Sequence, residues 1–581
     1  MRFNYFILSI ALTVAAGSGA FAQKKPADKK PADKTAKPAD KTTKPAEKTT
    51  PATTDKKQDA ASNAVAEEIE VVRPYKPVLA DVSKIRRSPE MDLNKTFKPQ
   101  LNYSISDKRL EQNSDIRQLQ SQPLAEIIQP ELTNNYVKIG LGNLATGFGE
   151  VYVNTGKDEA LQGGVFFKHF NQKGDIDGQK VSRQQFGIFG RSIQDKFAVN
   201  GDLTYHRFAT NFYGFIPEQP APTTDIEKQT YNLIELNGDI GNNFNQDDQA
   251  VEYKVKANAY YLNNKTDQKE TSFKLDGYVN KAINQFNVGA NLVGDFTNIN
   301  QPLFNTSNNI FRLKPYVKFQ GTNYMLKIGL NFASEFGDST STNFLPDVTA
   351  EFALAPEYAT IFAGYTGDVI KTSLRNTATE NPYINQNIAI VNALEKSNIF
   401  GGIKGNAGAG FGYKAMVSYR TIENMPLFIN DSQSPNKFDL TYDSKAKVFS
   451  LEGEISLKAS EAILWTGRFI TSNYDVSQQR EAWFKPTLQL VSNVRANINK
   501  AFSVDGEVVI NGGSKAFVPA NPDQILTLDS YVDLSGGAEY RLKNNIGIYL
   551  RVNNILNSQY ERYLYYPKVG INFLGGLNYS F

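Results

Sequence analysis

Tyr324-Met325-Leu326-Lys327-Ile328-Gly329-Leu330-Asn331-Phe332 is the stretch whose reading decides the fold. Tyr324, Leu326, Ile328, Leu330 and Phe332 form one alternate set, and Met325, Lys327, Gly329 and Asn331 form the other. Successive side chains of a strand point to opposite faces, so the segment reads as a strand with one oily and one wet face. The pattern recurs. Phe311, Leu313, Pro315, Val317 and Phe319 oppose Arg312, Lys314, Tyr316 and Lys318, and Phe411, Tyr413, Ala415, Val417 and Tyr419 oppose Gly412, Lys414, Met416, Ser418 and Arg420. Val532, Leu534, Ala538, Tyr540 and Leu542 oppose Asp533, Ser535, Glu539 and Arg541. From Asn134 to Phe581 no long helical pattern interrupts this texture.

A soluble sandwich alternates in the same way, so the connections decide. Short turns at Gln194 to Lys196, Ala282 to Asn284, Gly321-Thr322 and Asn499 to Ala501 take turns with mostly long connections. The long ones include Thr210 to Gln229, Asp368 to Lys396 and Thr421 to Lys437. Short turns on one side and long loops on the other are the signature of an outer-membrane barrel. With Phe438 to Leu457 read as one long strand, the expected fold is an all-β, antiparallel, up-and-down transmembrane barrel of about 22 strands. Such a sheet must close, because lipid offers no partner to an open edge.

Ahead of the barrel the chain divides into three. Arg2, an apolar run from Tyr5 to Ala16, and Ala20 and Ala22 before Gln23 read as a signal peptide over residues 1–22. Residues 23–61 repeat Lys, Pro, Ala, Asp and Thr loosely, without large apolar side chains, and read as an extended charged linker. Residues 62–133, broken by Pro74, Pro77, Pro89, Pro99, Pro123 and Pro130, read as a short periplasmic or lumen-filling segment.

The chain ends on an aromatic-terminated strand, Gly576-Leu577-Asn578-Tyr579-Ser580-Phe581. Together with Arg551-Val552-Asn553-Asn554-Ile555-Leu556-Asn557-Ser558-Gln559-Tyr560 and the run from Tyr566 to Gly575, it resembles the last two strands of TonB-dependent receptors. Ile571 stands where that family often has Arg, and residues 62–133 are shorter than the family's plug. The resemblance implies an outer-membrane receptor or transporter for a solute the sequence does not name. It also implies a TonB-like energy transducer, or another envelope protein, as partner beside the membrane lipid. Glu68-Ile69-Glu70-Val71-Val72 resembles the family's TonB box, an extended stretch able to add a strand to a partner.

The residue inventory argues against catalysis. The chain has no cysteine and two histidines, His169 and His206, which are expected near the outer ends of two strands and within reach of each other. There is no Gly-x-Ser-x-Gly elbow, phosphate loop or His-Glu-x-x-His, so neither an enzyme nor a resident cofactor is expected. Asp175-Ile176-Asp177-Gly178 has Phe186 where a calcium loop needs Glu, and reads as a polar loop tip. The folded part has no basic excess of the kind a nucleic acid requires. The alternative to transport is a structural or assembly component with a blocked lumen.

Sorting wet-face charges by strand predicts two lumen walls. Lys254, Lys256, Lys274, Arg312, Lys314, Lys318 and Lys327 fall on the seventh to eleventh strands, whereas Glu452, Glu454, Asp505, Glu507, Asp533 and Glu539 fall some nine strands away. Opposed sets of this kind would set a field across the lumen.

Overall fold

The computed structural model describes residues 135–581 apart from 156–159, 195, 216–225, 243–250, 285, 357, 408–409, 460–461, 519–520, 522 and 544. The signal peptide, the linker, the 62–133 segment and Glu68 to Val72 lie outside the described residues.

The wall is laid down in chain order. Its first strands are β1 (Tyr136–Gly142), β2 (Gly147–Asn154), β3 (Leu161–Lys173), β4 (Lys180–Ile193), β5 (Phe197–Asn211), β6 (Lys228–Asn242), β7 (Val251–Asn264) and β8 (Lys269–Ile283). Then come β9 (Phe286–Asn300), β10 (Asn305–Gln320), β11 (Tyr324–Gly337), β12 (Ser341–Ala355), β13 (Ala359–Ile370), β14 (Ala393–Asn406) and β15 (Phe411–Glu423). After a hairpin of β16 (Met425–Asn430) and β17 (Phe438–Asp443), it resumes with β18 (Ala446–Ala459), β19 (Ile463–Asp475), β20 (Leu488–Asn497) and β21 (Phe502–Asn511). A second hairpin, β22 (Ser514–Phe517) and β23 (Ile525–Leu528), precedes β24 (Tyr531–Lys543), β25 (Ile546–Asn553) and β26 (Asn572–Ser580). One short helix, α1 (Leu374–Glu380), lies between β13 and β14.

Leaving the hairpins aside, 22 strands make one antiparallel sheet, and β26 pairs back with β1 from Tyr136 opposite Ser580 to Gly142 opposite Leu574. No edge is left, as a lipid-spanning sheet requires. In β11 the oily set points outward: Tyr324, Ile328 and Leu330 are exposed, while Met325, Lys327 and Asn331 are buried toward the lumen. The two chain ends of the wall lie at its short-turn side, where the Phe581 N–H donates to the Asn135 carbonyl.

Two sequence expectations are corrected. Phe438 to Leu457 is not one strand. β17 pairs with β16 in its own hairpin, and only from Ala446 does β18 join the wall. The break comes where Asp443 turns its carboxylate onto backbone N–H groups, among them that of Lys445. His169 and His206 do not face each other. His169 shares the outward face with Phe167 and bonds Asn171 and Gln184, whereas His206 points inward beside Thr204. The difference is one of parity, since odd positions of both strands face out. The outer connections are of both kinds: β7 to β8, β9 to β10 and β11 to β12 are joined by 265–268, 301–304 and 338–340 alone, whereas 371–392 and 424–445 are long.

A packed cap as the candidate functional site

A 22-stranded wall encloses more space than its own side chains fill. At the outer end much of that space is taken by loops. Residues 371–392, the β16/β17 hairpin, residues 476–487, the β22/β23 hairpin and residues 554–571 converge on one apolar core. Its centre includes Leu374, Ile384, Leu427 and Phe438, each essentially inaccessible, with Trp483, Phe484, Tyr563 and Tyr566 around them. Burying one such side chain contributes about 1.5–3 kcal/mol, which is what lets long loops hold a fixed arrangement.

Polar links lock the loops to one another. The Tyr563 hydroxyl donates to the Glu380 carbonyl at 2.6 Å and Lys485 pairs with Glu380 at 3.0 Å, while Tyr231 on the wall strand β6 donates to the Pro382 carbonyl at 3.0 Å. Tyr566 donates to the Asn436 carbonyl at 2.5 Å, and burial pushes its hydroxyl well above the ordinary tyrosine range, so it stays a donor. Asp443 accepts from the backbone N–H groups of Gln478 at 2.6 Å, Gln479 at 2.8 Å, Lys445 at 3.0 Å and Ser477 at 3.1 Å. Burial alone would raise its carboxyl, but these donors outweigh it and hold the group below the usual range.

The strap 371–392 is fastened to the inner face of β6–β11. Glu270, on β8 and fully buried, accepts the N–H of Leu374 at 2.6 Å, and Arg375 makes two bonds to Glu235 on β6 at 2.7 and 2.8 Å. Lys371 pairs with Asp295 on β9. Asn392 bonds Asn308 on β10 and Glu335 on β11 at 2.7 and 2.6 Å, and Gln301 donates to the Ile388 carbonyl at 2.8 Å.

Within the cap, Tyr383, Tyr531, Tyr560, Arg562, Tyr563, Tyr566 and Lys568 line a narrow recess with room for about one water molecule. Tyr383 stacks on Tyr566 and Tyr531 on Tyr560, both at 3.6 Å between ring centres, and Tyr560 donates to Asp533 at 2.9 Å. Arg562 and Lys568 lie over the rings of Tyr563 and Tyr560 at 5.3 and 5.9 Å. The recess joins flat aromatic faces to two cations.

The sorted lumen charges occupy two separate arcs, β7–β11 and β18–β24. Most have a neighbour of opposite sign. Lys254 pairs with Asp239 at 3.3 Å, Arg312 and Lys314 share Asp368 at 2.9 and 2.8 Å, and Lys327 meets Asp347 at 3.0 Å. Lys256 stands between Asp239 and Asp276 in register, Lys274 opposite Asp295, and Lys318 opposite Lys327. On the other arc Arg468 meets Glu452 and Glu454, Arg551 meets Asp505 at 2.9 Å, and Arg541 lies 3.8 Å from Glu539. Glu507 stands opposite Asn493 and Ser535. The cap residues Glu235, Glu270, Arg375 and Asn392 were not singled out from the sequence. The only trace of the recess there is the density of tyrosines from Tyr560 to Tyr566.

Solved structures share this architecture. A ferripyoverdine receptor of the outer membrane of Pseudomonas aeruginosa, bound to ferripyoverdine, is 14% identical with a TM-score of 0.55, over 77% of this chain and 72% of that one. A mutant ferric enterobactin receptor from the same organism, in complex with enterobactin, is 13% identical with a TM-score of 0.56, over 77% and 81%. The FrpB iron transporter from Neisseria meningitidis is 12% identical with a TM-score of 0.59, over 77% and 81%. In fold, the wall is similar to the barrels of these two receptors and this transporter. No family model matches the chain, and no curated protein matches it. The closed wall with its oily exterior makes the chain an outer-membrane β-barrel protein.

Proposed function

We propose that the protein is an outer-membrane receptor or transporter whose cap receives a small solute with a flat face and negative charge. The observation that carries this reading is the group of stacked tyrosines with Arg562 and Lys568 around a narrow recess, built into loops packed at the outer end; a solute would have to widen this recess to enter it. Stacking on tyrosine and a cationic partner suit such a solute. Residues 62–133 act as a reduced plug behind a 23–61 tether, with Glu68 to Val72 offered to a TonB-like transducer. The two lumen arcs orient a dipolar solute on its way through. Neutralising Arg312, Lys314 and Lys318 together then shifts ion selectivity toward cations.

A second reading, a structural or assembly component with a blocked lumen, is favoured by the apolar packing of the cap itself. Planar-bilayer recordings separate the two. The full chain, a chain lacking residues 23–133, and a chain with 374–390 replaced by a short Gly-Ser linker are compared. Transport is supported if the full chain is closed and a deletion opens stepwise conductance that the Arg562→Ala, Lys568→Ala pair alters. Silence of all three forms, with each still showing heat-modifiable migration, favours the structural reading.

A further inference from the structure

The outward face of the wall carries an uneven distribution of charge. Outward positions are fixed by parity: Phe167, Phe186, Leu203, Ile234 and Phe273 are exposed large apolar residues on β3, β4, β5, β6 and β8, and alternate residues share their face. Followed toward the outer rim without a register break, the faces of β3, β4, β6 and β8 end in Lys173, Lys180, Lys228 and Lys269, while that of β5 carries Arg207 four residues before its end at Asn211 and that of β7 ends in Asn263. No outward position of β3–β8 among the described residues is Asp or Glu. The nearest described carboxylates on this side, Asp175, Asp177, Glu227 and Asp267, stand in the connections above the strand ends, and Glu227 is paired with Lys437 at 2.8 Å. Lys173, Lys180, Lys228 and Lys269 are exposed, and among the described residues none has an ion-pair partner. The outward rim of β14–β19 is different. There Lys396 is paired with Glu423, and Lys447 lies 3.9 Å from Asp475.

The four lysines stand four to six residues beyond the last exposed large apolar side chain of their strands, Phe167, Phe186, Ile234 and Phe273. At ~3.3 Å per residue and a tilt of ~40°, that is about 10–15 Å of height, the step from acyl chains to headgroups. A row of cations above an oily surface, with no acid among the outward strand positions, complements an amphiphile with phosphate on its head. Below the row, a chain of side-chain contacts fixes the surface: His169 meets Gln184 at 3.2 Å, Arg207 donates to Gln184 at 2.7 Å, and Asn232 donates to Asn263 at 2.9 Å.

We propose that the outward face of β3–β8 is a docking surface for a phosphorylated lipid of the outer leaflet, with the headgroup phosphates held by Lys173, Lys180, Lys228 and Lys269 and the acyl chains lying on Phe167, Phe186 and Phe273. Arg207 positions the surface through Gln184.

The test is native mass spectrometry of the full chain in detergent, titrated with bis-phosphorylated lipid A and with the same lipid A stripped of phosphate. The wild-type protein favours the phosphorylated form by at least about tenfold, several lysines each adding attraction to an anionic headgroup. The combined variant Lys173→Gln, Lys180→Gln, Lys228→Gln, Lys269→Gln loses that preference while keeping heat-modifiable migration. The Lys396→Gln, Lys447→Gln control, on the paired rim, keeps it. Equal binding of both lipids, or an unchanged preference in the combined variant, overturns the proposal. Displacement by inorganic pyrophosphate as effective as by lipid A also overturns it, since the site would then read free phosphate. If the combined variant does not fold, the four single variants are titrated, and a preference undiminished in all of them has the same force.

Discussion

Two arcs of the outer mouth are built on different physics. From β7 to β12 the strands are 14 to 16 residues long and turn back through 265–268, 301–304 and 338–340 alone. From β13 to β26 the strands hand over to the five segments that make most of the cap. The loops hold one another by apolar burial, yet the strap 371–392 is tied to the long-stranded arc largely by hydrogen bonds and ion pairs. The reason lies in the wall. An inward face that borders water is polar, so a loop folding against it must answer carboxylates and amides such as Glu235, Glu270, Asn308 and Glu335. A loop folding against other loops can bury Leu427 and Phe438.

The comparison can be broken at either side. Phe438→Ala removes a fully buried ring from the loop core and costs the cap about 3–5 kcal/mol. It should expose 425–443 and 476–487 to protease in intact cells while the barrel remains heat-modifiable, and unchanged digestion would mean that the loops do not depend on their shared core. Glu270→Ala leaves two N–H groups of the strap without their acceptor and costs about 1–3 kcal/mol. Its effect should be confined to the strap, seen as faster amide exchange at Leu374 and Arg375 with the β16/β17 hairpin still protected. Spread of the effect to that hairpin would show the two arcs to be one cooperative unit.

Smaller effects follow from loop carboxylates. Asp443 is held below the usual range, so its staple contributes fully above the unfolded pKa of ~3.9 and is lost only as pH falls through the folded value. Asp443→Asn should loosen the hairpin at pH 7, by protease nicking between 443 and 478, and the difference from wild type should shrink in acid. Asp439 has the opposite sign. Burial, with Asp431 beside it, pushes its carboxyl up to about 6. Its folded form favours the proton, so the stability this adds is present below the unfolded pKa of ~3.9 and lost as pH rises to about 6. Asp439→Asn should remove that dependence and tighten the hairpin slightly at pH 7. A hairpin equally protected at pH 4.5 and pH 7 in the wild type would contradict it.

The wall was legible because its code is local. In Tyr324 to Phe332 each residue's face follows from its parity, and lipid on one side with water on the other makes parity visible as hydropathy. The same rule misled at Phe438 to Leu457, where Phe438 and Leu440 continue the alternation into a hairpin that leaves the sheet. Alternation reports a two-faced strand and says nothing of which sheet owns it. Parity also places His169 and His206 on opposite faces, a consequence that nearness along neighbouring strands conceals.

The sequence by itself determined the barrel, its strand number and its outward oil, because a membrane-spanning sheet must satisfy every backbone group and expose apolar side chains at period two. Tertiary structure alone decided the cap. Glu270 lies about a hundred residues from Leu374, and Tyr383 nearly two hundred from Tyr566, so no local pattern joins them. They meet because ring closure brings distant loops over one mouth, where apolar burial and the polar inner wall select one packing. The cation row on β3–β8 stands between these cases: each lysine is visible in the chain, and only the register of six strands lines them up.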